Sequence, residues 1–239
     1  MKSFDKIRAR AAGRKGGDEV IERLLGPKPD NAELASLPDD RVLSTMAKRV
    51  FSAGFVWSVI EQKWPGFEEA FLGFQPKALL FQPDDFWHDL ASDKRIVRNP
   101  QKIRSVRENA EFVDRISQEH GGFGKFLADW PADDQVGLTA FLAKNGARLG
   151  GNTGPYLLRW IGWDTYVVSK DMAAALRDAG LDIAETPTSK KDLAAIQARM
   201  NEWHAETGLS YQHLSRILAM SIGDNYAPED LSYYMGDGE

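Results

Sequence analysis

The stretch that decides the fold is Asn145–Gly162, NGARLGGNTGPYLLRWIG, in which four glycines fall within nine residues. Helical hydrophobic patterns precede and follow these glycines, at residues 134–145 and 155–161. Pro155 suits the first turn of the second helix, whose free N–H groups point back toward the glycines. Because glycine adopts positive φ without strain, the backbone there can approach a ligand closely. The stretch therefore predicts two helices joined by a glycine hairpin.

Loop amides next to a helix start form a cradle for phosphate that needs few cationic side chains. The hairpin is thus a candidate contact for the DNA backbone. Its candidate DNA-binding residues are Gly150, Gly151, Thr153 and Gly154. No Lys-Ser/Thr pair follows the glycines, which disfavours a nucleotide-binding P-loop. A tight turn that binds nothing is the alternative interpretation.

Helical periodicity extends through the rest of the chain. A helical run is expected to begin near Asp39 and to reach Gly54, and it resumes through Trp57 and Ile60 until it ends at Pro65-Gly66. A long helix is expected over 101–119. The only β-like run, residues 165–168, is too short for a sheet. We predict an all-α fold of about ten helices, with a basic helical segment at 1–37, a main domain at 38–223 that includes added helices over 188–222, and an acidic tail at 224–239.

Composition narrows the class of protein. The chain has 239 residues, 43% of them hydrophobic, and a formal net charge of −5. The absence of cysteine excludes disulfides, thiol catalysis and cysteine-ligated metal sites. No apolar run approaches the length of a membrane span and the N-terminus lacks a secretory signal. We expect a cytoplasmic monomer that binds no membrane, no metal and no cofactor.

The charge is unevenly distributed. Residues 94–107, KRIVRNPQKIRSVR, carry six lysines and arginines and no acidic residue. Pro100 favours a helix start there, and the amides of a helix start attract anions. Arg98, Lys102 and Arg104 are therefore candidate DNA-binding residues. A solvated basic face is an equally weighted alternative.

Three blocks of sequence together resemble the 3-methyladenine DNA glycosylase I family of the helix-hairpin-helix DNA glycosylases. The first is AGFVWSVIEQKWPGFEEAF, with Trp57 and Phe71 at the family spacing. The second is IVRNPQKIRSVRENA, which matches through Arg98, Lys102, Ile103, Asn109 and Ala110. The third is the hairpin, which matches through Gly146, Gly151, Thr153 and Tyr156. The resemblance covers about residues 38–181.

The resemblance implies an enzyme of base excision repair. Such an enzyme flips an alkylated purine, chiefly 3-methyladenine, from double-stranded DNA and hydrolyses its N-glycosidic bond. Trp57 matches the family's stacking tryptophan, and its alternative is a core helix residue. The implied base-binding residues are Trp57, Arg49, Phe55 and Tyr156. Trp160 also lies just beyond the hairpin.

The chain departs from the family at two sites. The family's structural zinc needs cysteine, and the four histidines here show no ligand spacing. The family's base-contacting glutamate is replaced by Arg49, a cation that would repel a cationic base unless it points elsewhere or pairs with Asp40 or Glu61.

The catalytic carboxylate has more than one candidate position. The aspartate of the wider superfamily aligns with Ser169, which leaves Asp171 as the candidate catalytic residue and Asp164 as a neighbour. Asp171 reads equally well as a helix-start carboxylate. A lyase would need a catalytic lysine after the hairpin, and the only lysine near that position is Lys170, one residue after the aligned Ser169. We therefore expect a monofunctional hydrolase. A non-catalytic module that binds damaged or bent DNA and a helical protein-interaction domain are the alternatives.

Overall fold

The computed structural model describes residues 3–227 and residue 229, and every regular element in that part of the chain is a helix. The helices are α1 (Phe4–Lys15), α2 (Asp18–Leu25), α3 (Asn31–Ala35), α4 (Asp39–Ser52), α5 (Trp57–Ala70), α6 (Pro76–Leu80), α7 (Asp84–Leu90), α8 (Pro100–His120), α9 (Phe123–Asp129), α10 (Gln135–Asn145), α11 (Thr153–Ile161), α12 (Lys170–Asp178), α13 (Lys190–Thr207) and α14 (Tyr211–Met220). The predicted all-α class is confirmed. The described helices outnumber the ten or so expected because the first 37 residues alone form three.

Contacts divide the chain into two units, and each is described by itself. The first holds the described residues up to 29, residues 132–136 and the described residues from 164 onward. The second holds residues 30–131 and 137–163. The domain boundaries predicted after residues 37 and 223 follow a different division and stay a prediction. No helix in the described part of the chain is both long and apolar enough to cross a membrane.

The core of the second unit forms around α8, which packs against α4, α6 and α9. Apolar side chains recur along α8 every three or four residues, which places them on one face of a helix. All of them are buried: Ile103, Val106, Ala110, Val113 and Ile116. The helix ends at Gly121, which adopts the left-handed conformation with φ +80°. The predicted helix over 101–119 is thus confirmed.

The predicted helix end at Pro65-Gly66 is wrong, because α5 continues to Ala70 with Pro65 inside it. A proline inside a helix removes one backbone hydrogen bond. Beyond it, however, Phe67 and Ala70 are buried in the core. Gly66 also lies against Arg95, where an added Cβ would come within 2.8 Å of the carbonyl oxygen. Burial of the last turns therefore outweighs the local cost of the proline.

The first unit packs α1 and α2 with α12, α13 and α14. The ring of Phe4 lies 5.3 Å from the ring of Trp203 in its core. The buried Lys15 ammonium donates to the side chain of Asn225 at 2.9 Å and to the carbonyl of Tyr226 at 2.7 Å. The first residues of the predicted tail therefore lie on α1, and the remaining tail tyrosines lie outside the described residues.

Candidate nucleic-acid and base-binding site

Three aromatic rings of the second unit lie close to one another on α5 and α11. Trp57 is the first residue of α5, and its ring meets the ring of Trp160 edge to face at 4.7 Å and 73°. Tyr156 lies one helical turn before Trp160 on α11. All three residues are partly exposed. We call Trp57, Tyr156 and Trp160 the aromatic surface, because rings that the core does not cover offer faces on which a planar ligand can stack.

Arg49, near the end of α4, lies over this aromatic surface. The carbon of its guanidinium is 4.6 Å from the ring centre of Tyr156 and 5.2 Å from that of Trp160. Such cation–ring contacts are favourable by about 0.5–2 kcal/mol. Burial lowers the pKa of Arg49, and the nearby Tyr156 opposes this only in part. Arg49 nevertheless carries a positive charge at neutral pH, because a guanidinium is not deprotonated in proteins.

The carboxylates that were expected as partners of Arg49 are engaged elsewhere. Asp40 pairs with Arg41 at 3.1 Å, and Glu61 pairs with Lys48 at 2.8 Å. Within the described part of the chain, no acceptor hydrogen-bonds to Arg49, and its buried Nε has no partner. Arg49 is therefore a cation held by ring faces alone.

The loop between α4 and α5 is apolar and exposed. Phe55, Val56 and Val59 are 44%, 67% and 41% exposed, and Gly54 before them has φ +77°. Exposed apolar residues in a group favour contact with a ligand or partner. The structure therefore places Phe55 on the surface two residues before Trp57.

Lys102 is not a surface cation, although its sequence position suggested a phosphate contact. The residue is 6% exposed, and its ammonium donates to the carbonyl oxygens of Phe51 at 3.0 Å and Ala53 at 2.7 Å. Burial, with a smaller effect of Arg148, lowers its pKa. These carbonyls end α4, where unpaired oxygens and the helix dipole favour a cation. Lys102 thus fixes the α4–α5 junction that carries Trp57.

We expect Lys102→Met to lower the free energy of unfolding by about 2 kcal/mol, because two carbonyl acceptors lose their donor. Urea unfolding of the purified protein measures this loss. Lys94→Met is the matched control, since Lys94 is exposed. Equal stabilities of the two variants would contradict the junction role.

Half of the six cations in the basic segment 94–107 are paired with carboxylates from outside its sequence. Three pairs do this: Arg95–Asp93 at 2.7 Å, Arg104–Glu108 at 2.8 Å and Arg107–Asp84 at 2.7 Å. Of the three candidate DNA-binding residues, Arg98 alone is exposed without an ion pair to any described residue. Asn99 caps the start of α8 by accepting from the amide of Lys102 at 3.1 Å. One of the amides that was predicted to bind an anion at this helix start is therefore already hydrogen-bonded to a side chain of the protein.

The glycine hairpin between α10 and α11 is held by Asn109 of α8. The Asn109 side chain accepts from the amide of Ala147 at 2.7 Å and donates to the carbonyl of the same residue at 3.1 Å. Gly151 at the tip has φ +58°, and a Cβ on the buried Gly154 would reach within 3.0 Å of the Leu149 carbonyl. The positive φ favours glycine at position 151, and the close carbonyl favours glycine at position 154.

The tip of the hairpin leaves backbone donors unpaired. Gly150, Gly151 and Asn152 are exposed, and no described residue accepts from their amides. Thr153 begins α11 directly after them, and its own amide is bonded to the Gly150 carbonyl at 3.2 Å. The hairpin therefore presents free N–H groups at a helix start, which is the geometry of a phosphate cradle.

Three residues were considered for the catalytic position: Ser169, Asp164 and Asp171. The side chains of the first two cap helices. Ser169 caps α12 through the amide of Met172 at 3.1 Å. Asp164 accepts from the amides of Tyr211 at 3.0 Å and Gln212 at 2.9 Å at the start of α14. Asp171 lies in the first turn of α12, is partly exposed and makes no hydrogen bond to any described residue. Asp171 is therefore the only one of the three whose polar atoms are uncommitted within the described chain.

The residues present do not fit the zinc ion that the resemblance implies. The chain contains no cysteine. In the described residues, no three His, Asp or Glu side chains gather as ligands. We therefore assign no step to a metal.

Sequence reasoning missed the role of Asn109, although this residue belongs to the second block of the resemblance. It named Trp160 as one of several aromatic residues that could wall a pocket or belong to the core. The spacing of four residues between Trp160 and Tyr156 is the signal that places both on one face of the helix. Of the predicted base-binding residues, the structure brings together Trp57, Arg49 and Tyr156 around Trp160.

A family model described as methyladenine glycosylase matches residues 36–141. The match covers less than half of the chain. The matched stretch contains Arg49, Trp57 and Asn109, whereas the hairpin tip lies just beyond it. A search of curated proteins found no match to the chain.

Solved structures of DNA glycosylases are also similar to the chain. The 3-methyladenine DNA glycosylase I from Staphylococcus aureus, in a structure that describes its recognition of 3-methyladenine, is 20% identical, with a TM-score of 0.47 over 64% of this chain and 85% of that one. The Methanocaldococcus jannaschii 8-oxoguanine glycosylase/lyase in complex with DNA is 12% identical, with a TM-score of 0.49 over 90% of this chain and 95% of that one. Likenesses of this size carry no information about chemistry.

Proposed function

We propose that the chain is a DNA glycosylase that flips a modified purine from double-stranded DNA and hydrolyses its N-glycosidic bond. The observation that carries this proposal is the partly exposed aromatic surface, which lies beside the exposed loop at 53–56 and includes Trp57 of the family segment. A flipped base gives up stacking and pairing worth a few kcal/mol, and aromatic faces recover part of that energy.

In this proposal, the hairpin binds the phosphate backbone of the DNA. Free amides of Gly150, Gly151 and Asn152 would bind one phosphate without side-chain charge. Arg98 adds the unpaired cation of the basic segment. Because Lys102 is buried and Arg104 is paired with Glu108, we assign the DNA contact to the hairpin and Arg98 instead.

We expect Asn109→Ala to weaken DNA binding about tenfold, because one lost phosphate contact of this strength costs on the order of 1.5–3 kcal/mol. The substitution removes the clamp on Ala147 and leaves the hairpin free to move. Fluorescence anisotropy with a labelled duplex measures the affinity. Asn145→Ala is the control, because that side chain bonds only within its own helix, to the Phe141 carbonyl. Equal affinities would contradict the clamp.

The chemical step needs water and a stabilised sugar cation. The bond between C1′ and the base nitrogen breaks with its electrons going to the base, and a water oxygen bonds to C1′ while the proton that the water loses ends on the released base. The carboxylate we propose to stabilise the cationic sugar is Asp171 of the first unit, on the grounds of its sequence position and its uncommitted polar atoms. We propose hydrolysis without a Schiff base and a monomeric enzyme.

Base release from duplex DNA tests this function. DNA treated with a methylating agent, and duplexes with single modified purines, are incubated with the protein, and free bases are separated chromatographically. Release of at least one modified purine is the expected result. Asp171→Asn should slow that release without changing DNA affinity, whereas Asp224→Asn is the control carboxylate.

A non-catalytic DNA-binding module is the second candidate, and the unpaired Arg49 on the aromatic surface favours it. This candidate predicts binding of damaged duplex that weakens with salt, together with no release of any base. A protein-interaction domain would show neither property at moderate salt.

A further inference from the structure

Arg49 is the one described feature of the aromatic surface that demands a partner. The Nε donor of its guanidinium is buried and has no hydrogen-bond partner among the described residues. Hydrogen-bond donors withdrawn from water without acceptors cost about 1–3 kcal/mol each. Contact with Tyr156 and Trp160 offsets part of that cost and fixes the plane of the group. The arrangement is therefore ready for a ligand that brings acceptors.

We propose that Arg49 sets the class of base that this surface accepts: a neutral purine whose edge carries a carbonyl oxygen beside a ring nitrogen. The inference rests on the proposed function and names its substrate class. An arginine fork binds such an edge with two hydrogen bonds, as it does O6 and N7 of guanine. Hypoxanthine has the same pair of acceptors.

A cationic alkylated base is excluded by its charge. The guanidinium lies over the rings of Tyr156 and Trp160, so a base bound at this surface lies close to it. Two like charges a few ångströms apart repel, and burial weakens the screening by water. The surface therefore rejects the kind of base that aromatic faces would otherwise attract.

A phosphate is the other ligand that an arginine fork can bind. The aromatic surroundings disfavour it here, because a phosphate loses strong hydration on entering them. The free amides of the hairpin and the exposed Arg98 are better placed for a phosphate. The planar purine is thus the occupant that fits both the fork and the rings.

The experiment compares three duplexes that differ only at one position. They contain hypoxanthine, 7-deazahypoxanthine, which lacks the N7 acceptor, or unmodified adenine. We expect the wild-type protein to bind the hypoxanthine duplex about tenfold more tightly than either of the others. Arg49→Lys keeps the charge but not the fork, so it should lose this preference. Circular dichroism confirms that each variant is folded.

The second arm measures release of 3-methyladenine from methylated DNA. Arg49→Glu should release it at least about tenfold faster than the wild-type protein, because repulsion becomes attraction. Equal binding of the three duplexes, or measurable release of 3-methyladenine at the same rate by the two proteins, would overturn the inference. An Arg49 effect that is the same for every duplex would identify a phosphate contact and would also overturn it.

These outcomes separate the inference from the proposed function. Base preference without release of any base contradicts hydrolysis and leaves the selectivity of Arg49 standing. Release of bases without the preference contradicts the inference and leaves the glycosylase standing.

Discussion

Trp57→Ala is expected to reduce base release about ten- to a hundredfold while leaving the protein folded. Loss of one aromatic platform for a flipped base costs about 1–3 kcal/mol. The Trp57 ring is only partly buried, and among the described residues its one ring–ring contact is with Trp160. A stability change within about 1 kcal/mol is therefore expected. Single-turnover release and urea unfolding, measured on one preparation, check both statements.

Trp64→Ala is the informative contrast, since the partly buried Trp64 stacks at 4.9 Å on Phe67 and at 5.5 Å on Phe74, both of which are fully buried in the core. That variant should lose about 3 kcal/mol of stability. Phe81→Ala, at an aromatic residue that is 86% exposed, should change neither property. If Trp57→Ala lost stability as Trp64→Ala does and kept its activity, Trp57 would be a core residue.

Glu68→Ala is expected to lower the free energy of unfolding by about 2–3 kcal/mol. The Glu68 carboxylate accepts from Arg41 through both oxygens at 3.0 and 2.9 Å, from Ser44 at 2.6 Å and from Trp64 at 3.1 Å. Its removal takes this acceptor from Ser44 and Trp64, while Arg41 keeps Asp40 and the carbonyl of Gly73 as partners. The loss stays below that of a fully buried pair because the Arg41 side chain is 42% exposed. Urea unfolding at pH 7 measures it, with Glu69→Ala as the exposed neighbouring control.

Glu68 also predicts a pH dependence of stability. Burial alone would raise its pKa, but the hydrogen bonds from Arg41, Ser44 and Trp64 and the Arg41 charge outweigh burial, so the pKa lies below its ordinary value. The stabilisation is therefore complete above about pH 4.3 and is lost as the pH falls through the lowered value. Glu68→Gln should flatten this part of the stability profile. An unchanged acid profile would contradict the network.

The sequence predicts which face of a helix is buried, because the spacing of apolar residues along a single helix determines the face on which they lie. The apolar face of α8 and the glycine hairpin are local patterns of this kind. The continuation of α5 through Pro65 could not be predicted in this way, because it depends on the packing of α5 against the core and against the backbone of Arg95. Tertiary burial overrode a local signal there.

The site was predicted in its residues but not in their partners. Trp57, Arg49 and Tyr156 were identified by position. The direction of the long Arg49 side chain depends on where α11 lies, which spacing does not show. For the same reason, the basic segment looked free of acids in sequence, while Asp84 and Lys102 show how folding neutralises or buries its charges.

The most direct measurement of the central claim is the position of the target base in a crystal structure of the protein with duplex DNA. The duplex would carry a single modified purine on a sugar that resists cleavage. Our account predicts that this base leaves the helix and stacks within about 4.5–7 Å, centre to centre, of the Trp57 or Trp160 ring. A target base that stays paired in the helix, or that lies away from these rings, would contradict it.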